Sequence, residues 1–146
     1  MKKLLALLII MASCLSLFAQ PKAGLKEKHK EDFRASVSLV LLWTSKDPEV
    51  FNKVVYPYGL NSKKQGWWQN VEVLIWGPST KLLSEDKDIQ NKIKQLKELR
   101  VNLTSCKWCA DQYNVSDILT ELGVDVKYMG KPLTDYLKSG RKVLVF

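Results

Sequence analysis

The sequence predicts an open α/β domain built on a mostly parallel sheet. Three observations carry this. Five short apolar runs, rich in Val, Leu and Ile, are spread over residues 35–146. Segments of helical period lie between them. Pro, Gly and capping residues mark the junctions. Apolar runs of this length suit strands covered on both faces. Regular alternation of strand and helix gives parallel strands joined by right-handed crossovers.

In chain order, residues 1–19 stand apart from that domain. Lys2 and Lys3 precede an apolar stretch, Leu4 to Leu17, and Ala19-Gln20 supplies the small residue that a signal peptidase requires. The stretch is short for a membrane span, which needs about 20 apolar residues. The expectation is an exported protein, periplasmic or secreted, that is free of the membrane once the leader is cleaved. Cys14, after Met11-Ala12-Ser13, is the minor alternative, a lipid-anchored cysteine. Loss of Lys2 and Lys3 leaves 21 basic against 15 acidic residues, a net +6. The lysines are interspersed with acids and no arginine cluster alternates with aromatics. That is the pattern of a solvated surface and not of a nucleic-acid interface.

Residues 20–34 are polar and Lys-rich without periodicity, and read as a flexible lead-in. The one histidine, His29, lies there. The folded part, 35–146, then contains no histidine. Ser-His-Asp and Cys-His catalysis are excluded from it.

The first strand is "ASVSLVLLW", 35–43. Asp47-Pro48 opens a helix, with Asp as N-cap and Pro in the first turn. Val50, Val54 and Tyr58 keep its spacing, and Pro57 is expected to kink or break it. Trp67 and Trp68 precede the second strand, "VEVLIWG" (71–77), and read as packing residues. From Asp86 to Leu99 the residues Ile89, Ile93, Leu96 and Leu99 make one helical stripe. "VNLTS" (101–105) is the third strand. Ser116 is expected to cap a helix carrying Ile118, Leu119 and Leu122, which stops at Gly123. "VDVKYM" (124–129) is the fourth strand. Pro132 starts a helix with Leu133, Tyr136 and Leu137 inward and Gly140 as its stop. "KVLVF" (142–146) is the fifth strand.

Chemistry is expected at the carboxyl edge of the sheet, where open α/β folds gather ligands. Trp43 ends the first strand, Trp76 the second, and Trp108 follows the third, so the three are read as rimming a pocket around Cys106. Cys106 and Cys109 form a C-x-x-C pair at the start of the next helix. First-turn N–H groups and Lys107 favour a thiolate there, and Asp111 and Asp117 oppose it.

Several uses of the pair stay open. A structural Cys106–Cys109 disulfide, in a non-catalytic binding or assembly module, closes so small a ring that it contributes roughly 2 kcal/mol. Two cysteines are half a structural zinc site, so a metal would need a dimer to complete it. A thioredoxin-type redox pair fits the strand–helix position, but the flanking strand order does not match that fold.

The segment "VNLTSCKWCADQYNVSD" (101–117) resembles the strand–Cys–helix segment of the DsrE-like family of sulfur-relay proteins. "WGPSTKLL" (76–83) and "VKYMGKPLTDYLKSGRKVLVF" (126–146) resemble its short, stand-alone members. The resemblance covers about residues 35–146. It implies a three-layer α/β/α sandwich with a five-stranded parallel sheet, assembled as a homotrimer or hexamer. It further implies that Cys106 is the sulfur-carrying cysteine and Asn114-Val115 the pair closing the helix. The implied partners are a sulfur donor and acceptor, protein or small thiol, with no metal or organic cofactor. Two features depart from the family pattern. Cys109 stands where relay members commonly carry a small apolar residue, and the leader points outside the cytoplasm, away from tRNA modification. Cys109 is then a resolving thiol for a Cys106 persulfide.

Overall fold

The computed structural model describes residues 23–146; the leader read at 1–19, and Cys14 with it, lie outside the described residues. The segment expected to be a flexible lead-in is helical from its fourth residue, as α1, Ala23–Ser36. The physical reason is propensity. Ala, Leu, Lys, Glu and Arg dominate it, and these hold a helix without an apolar stripe. The compact domain runs Asp32–Phe146, starting three residues before the expected boundary.

Among the described residues five strands form one all-parallel sheet, in the order β4-β3-β2-β1-β5. They are β1 (Ser38–Trp43), β2 (Asn70–Ile75), β3 (Asn102–Cys106), β4 (Asp125–Lys127) and β5 (Lys142–Val145). After β1 come α2 (Pro48–Val50), a π-helical turn (Phe51–Val55) and α3 (Tyr56–Lys64). Asp47 caps α2 by accepting the Glu49 N–H. Pro57 does not break the helix. The preceding turn is widened, so the Tyr56 N–H reaches the Phe51 carbonyl five residues back. A π turn relieves the clash that a proline ring makes in an ordinary helix.

Two helices join β2 to β3. α4 (Pro78–Glu85) was not read from the sequence, although Gly77-Pro78 signals its start. α5 (Lys87–Glu98) matches the expected stripe, with Asp86 accepting the Asp88 and Ile89 N–H groups. After β3 come α6 (Lys107–Gln112) and α7 (Ser116–Glu121). Ser116 is not the cap of α7: Val115 holds that position, and the Ser116 hydroxyl bonds Asp111 instead. α8 (Gly130–Lys138) precedes β5, and Leu137, expected inward, faces solvent.

Alternation along the strands divides the core into two faces. Leu39, Leu41 and Trp43 of β1, with Val71, Val73 and Ile75 of β2, face Phe51, Val55, Leu83, Ile89, Ile93 and Leu96. This is the larger core, and the helices of the forward crossovers cover it. Val40, Leu42 and Leu74 face the other way, toward Met129, Leu133 and Tyr136. That second face is covered by α8, which carries the chain from one edge of the sheet back to the other. The smaller face holds both cysteines.

Candidate functional site

β3 delivers Cys106 to the carboxyl edge of the sheet, where it becomes the N-cap of α6 in an extended conformation. Its side chain does not cap the helix, so the first-turn N–H groups remain turned toward this end. α6 has six residues, so its contribution is those local groups and not a long dipole. One turn on, Cys109 points back onto the same small core. Both are free thiols, 4% and 5% exposed. They share that core with Val40, Leu42, Leu74 and Met129, and Trp76 packs against it.

The two thiols differ in surroundings. Burial pushes the Cys109 thiol up, a hydrogen bond with Cys106 adds to this, and the Gly77 N–H donated to its sulfur partly offsets it. Burial thus favours the protonated form of the Cys109 thiol. Gly77 has φ 69°, a left-handed conformation open to glycine at little cost. The turn it makes is fixed by Ser79, whose hydroxyl donates to the Trp43 carbonyl at 2.6 Å and accepts the Trp76 N–H at 3.1 Å.

The tryptophans separate. Trp43, Ile75 and Ser105 share one rung of the sheet, so Cys106 lies one rung further on, level with Trp76. With side chains alternating at every residue, Trp43 faces the large core and Cys106 the small one. Trp43 is fully buried against Phe51, with ring centroids 4.5 Å apart. It is a core residue and not a pocket wall. Trp76 does adjoin the cysteines. Trp108, 62% exposed, and Tyr128, 66% exposed, stand in solvent on the flanking segments. Trp67 is exposed beside Tyr58, and Trp68 packs against the large core.

Lys107, expected to tune the thiol, is bound to Asp111 through both carboxylate oxygens at 2.8 Å. That pairing raises the Lys107 pKa and lowers that of Asp111, which Ser116 also holds. The lysine in register with Cys106 is Lys127 of β4, itself paired with Asp125. A cross-strand neighbour of this kind cannot be found from sequence adjacency.

Beneath the cysteines on the same face lies a polar cluster that the sequence reading missed. Glu72 of β2, 5% exposed, accepts the Thr104 hydroxyl at 2.6 Å, the Tyr136 hydroxyl at 3.4 Å and Arg141 at 3.3 Å. The Arg141 guanidinium also lies over the Tyr136 ring, 4.0 Å from its centroid. Burial, with the Glu72 charge next, pushes the Tyr136 hydroxyl pKa up. One acid within the otherwise apolar run "VEVLI" was the available signal.

The chain compares with known proteins as follows. It is 36% identical to a conserved protein of unknown function, BT1422, from Bacteroides thetaiotaomicron, with a TM-score of 0.76 over 77% of this chain and 97% of that one. The ychN protein from E. coli shares the fold at 18% identity and a TM-score of 0.56, over 75% of this chain and 97% of that one. No curated protein matches. The profile of the DsrE/DsrF-like family matches residues 59–146, more than half the chain, including both cysteines. A parallel five-stranded sheet, a cysteine ending its third strand and this match agree: the chain belongs to the DsrE/DsrF-like family.

Proposed function

We propose that this protein is an exported persulfide carrier or sulfurtransferase that works through Cys106, with Cys109 as the resolving thiol. The family is associated with sulfur relay, and the observation that carries the finer reading is the asymmetry of the thiols. Both are buried, but Cys106 ends a strand as the N-cap of α6, facing its free first-turn N–H groups, while Cys109 lies one turn on, where burial pushes its thiol pKa up.

The Cys106 thiolate attacks the outer sulfur of a persulfide donor, R–S–SH. The donor S–S bond breaks, RS⁻ leaves with the electron pair, and Cys106–S–SH forms. An acceptor thiol can then take the outer sulfur. Otherwise Cys109 attacks the inner sulfur, giving a Cys106–Cys109 disulfide and hydrogen sulfide; the sulfane sulfur is reduced by two electrons and the pair is oxidised by two. An external dithiol returns the pair to thiols. Burial shields the persulfide from water and stray thiols between steps. Neither a metal nor an organic cofactor takes part. Donor and acceptor are proteins or small thiols, the carrier works as a homotrimer or hexamer, and the leader-like sequence at 1–19 supports action outside the cytoplasm.

Mass spectrometry under non-reducing conditions after polysulfide treatment tests this. One added sulfur on the Cys106 peptide is expected, and a Cys106 that never gains sulfur ends the proposal. The Cys106–Cys109 contact also supports a second reading, thiol–disulfide exchange without sulfur transfer. The reduction potential of the pair bears on it, because a value below about −300 mV marks a structural bond and not a working one.

A further inference from the structure

The two edges of the sheet are unlike. β4 has three residues, and its Asp125–Lys127 ion pair places charge along it. A short, charged edge strand resists pairing with other chains. β5, at four residues, is nearly as short but carries less charge. Val143-Leu144-Val145 is apolar, and the one charge is Lys142 at its start. Leu144 is 41% exposed and Val145 64%. Beside it, Val54, Pro57, Tyr58, Trp67, Leu144 and Phe146 line a mostly apolar groove of about 400 Å³, with Lys53 and Asn61 also in its wall.

The backbone fixes which groups this edge offers. The Phe146 N–H donates to the Leu42 carbonyl at 2.9 Å, and the Phe146 carbonyl accepts the Thr44 N–H at 2.7 Å. Both groups of a strand residue point to the same side, and the side alternates along the strand. Phe146, Leu144 and Lys142 therefore bond toward β1, while Val143 and Val145 direct theirs outward.

We infer that β5 pairs antiparallel with β5 of a second copy, about a two-fold axis through Leu144. The sequence around that axis is palindromic, Val-Leu-Val. Val143 of each copy lies opposite Val145 of the other, and those are the residues with outward N–H and C=O groups, so the two pairs exchange four hydrogen bonds. Leu144 meets its own counterpart in the close, non-hydrogen-bonded position between them. Lys142 falls opposite Phe146, so no like charges meet within the paired strands. On one face the two Leu144 side chains join the two apolar grooves. On the other, Val145 is covered by the partner's Val143. The contact is isologous and closes. It fits a dimer or a two-fold-containing hexamer and is absent from a lone trimeric ring. It lies away from the cysteines and is independent of the sulfur chemistry.

Sedimentation equilibrium on the protein expressed from the full chain tests it, together with two variants. Val145→Pro removes an outward N–H and leaves the β1 ladder whole, so the mass is expected to halve with an unchanged circular dichroism spectrum. Leu144→Cys is expected to give a 144–144 disulfide on oxidation, identified by peptide mass, because non-hydrogen-bonded pairs bring Cα atoms within disulfide range. If the proline variant does not fold, the crosslink decides. A wild-type monomer at micromolar concentration, an odd-numbered ring, a folded proline variant of unchanged mass, or a cysteine variant with no 144–144 bond would each overturn the inference.

Discussion

Cys106 and Cys109 are chemically identical and three positions apart, yet the fold puts one at a strand end and the other inside a helix. Replacing Cys106 with Ser is expected to abolish sulfur uptake on treatment with polysulfide. Cys109→Ser is expected to take up sulfur normally, to hold the persulfide longer and to release little hydrogen sulfide, as followed by sulfide electrode and intact mass. Persulfide lifetimes equal to wild type in Cys109→Ser would refute the resolving role. A pH dependence follows from the burial of Cys109. Its folded pKa lies above the ordinary 9.0, so its contribution to stability is whole below that value. As pH climbs past it, the unfolded chain loses this proton first, the native state holds more protons, and stability falls. Urea midpoints for wild type between about pH 8 and 11 should therefore fall more steeply than those of Cys109→Ala. Tyr136, also raised from its ordinary 10.0, adds a fall of the same sign in both proteins.

Among the elements, the return crossover through α8 depends most on polar contacts. Its helix presents Leu133 and Tyr136 to the smaller core, and Leu137 is left in solvent. Tyr136 and Arg141 bracket the end of α8, and both reach Glu72 in a central strand. Removing Arg141 leaves a buried carboxylate with only hydroxyl partners. Arg141→Ala is expected to cost about 2 kcal/mol, the scale of a hydrogen bond to a charged group, measured by denaturant unfolding. Glu72→Gln in the same background should recover part of that loss by removing the buried charge. No recovery would mean that Arg141 acts through its packing on Tyr136. The helix of the opposite face behaves differently, since α5 is fixed by an apolar stripe and a capping aspartate, both visible in the sequence.

Across the whole molecule, the sheet separates a large core from a small one. Ile93 is fully buried in the large core, and Ile93→Ala is expected to cost about 2–5 kcal/mol. Leu133, half-buried on the small face, should cost less when truncated to Ala. A Leu133→Ala loss equal to that of Ile93→Ala in the same denaturant titration would contradict the division. The thiols sit on the face with the thinner cover, at the edge where chain segments turn.

Much of this was legible residue by residue. Apolar period marked all five strands. The stripe Ile89–Ile93–Leu96 placed α5, and Gly123 and Gly140 stopped their helices with φ of 78° and 74°. Cys106 at a strand end followed from the run before it. These features are local, and the chain's own spacing encodes them. Helix α1 was misread because propensity without amphipathicity leaves no burial pattern, and α4 was missed although Gly77-Pro78 signalled its start. What the sequence determined by itself was the class of fold, the parallel sheet and the pairing of two thiols at a helix start. Tertiary structure alone decided which neighbours those thiols have. It put Trp43 on the far face, tied Lys107 to Asp111, brought Gly77 and Trp76 to the cysteines, and set Lys127 in register with Cys106. The reason is the two-residue alternation of a strand combined with its register: shifting one rung exchanges the faces, and only pairing with the neighbouring strands fixes the rung.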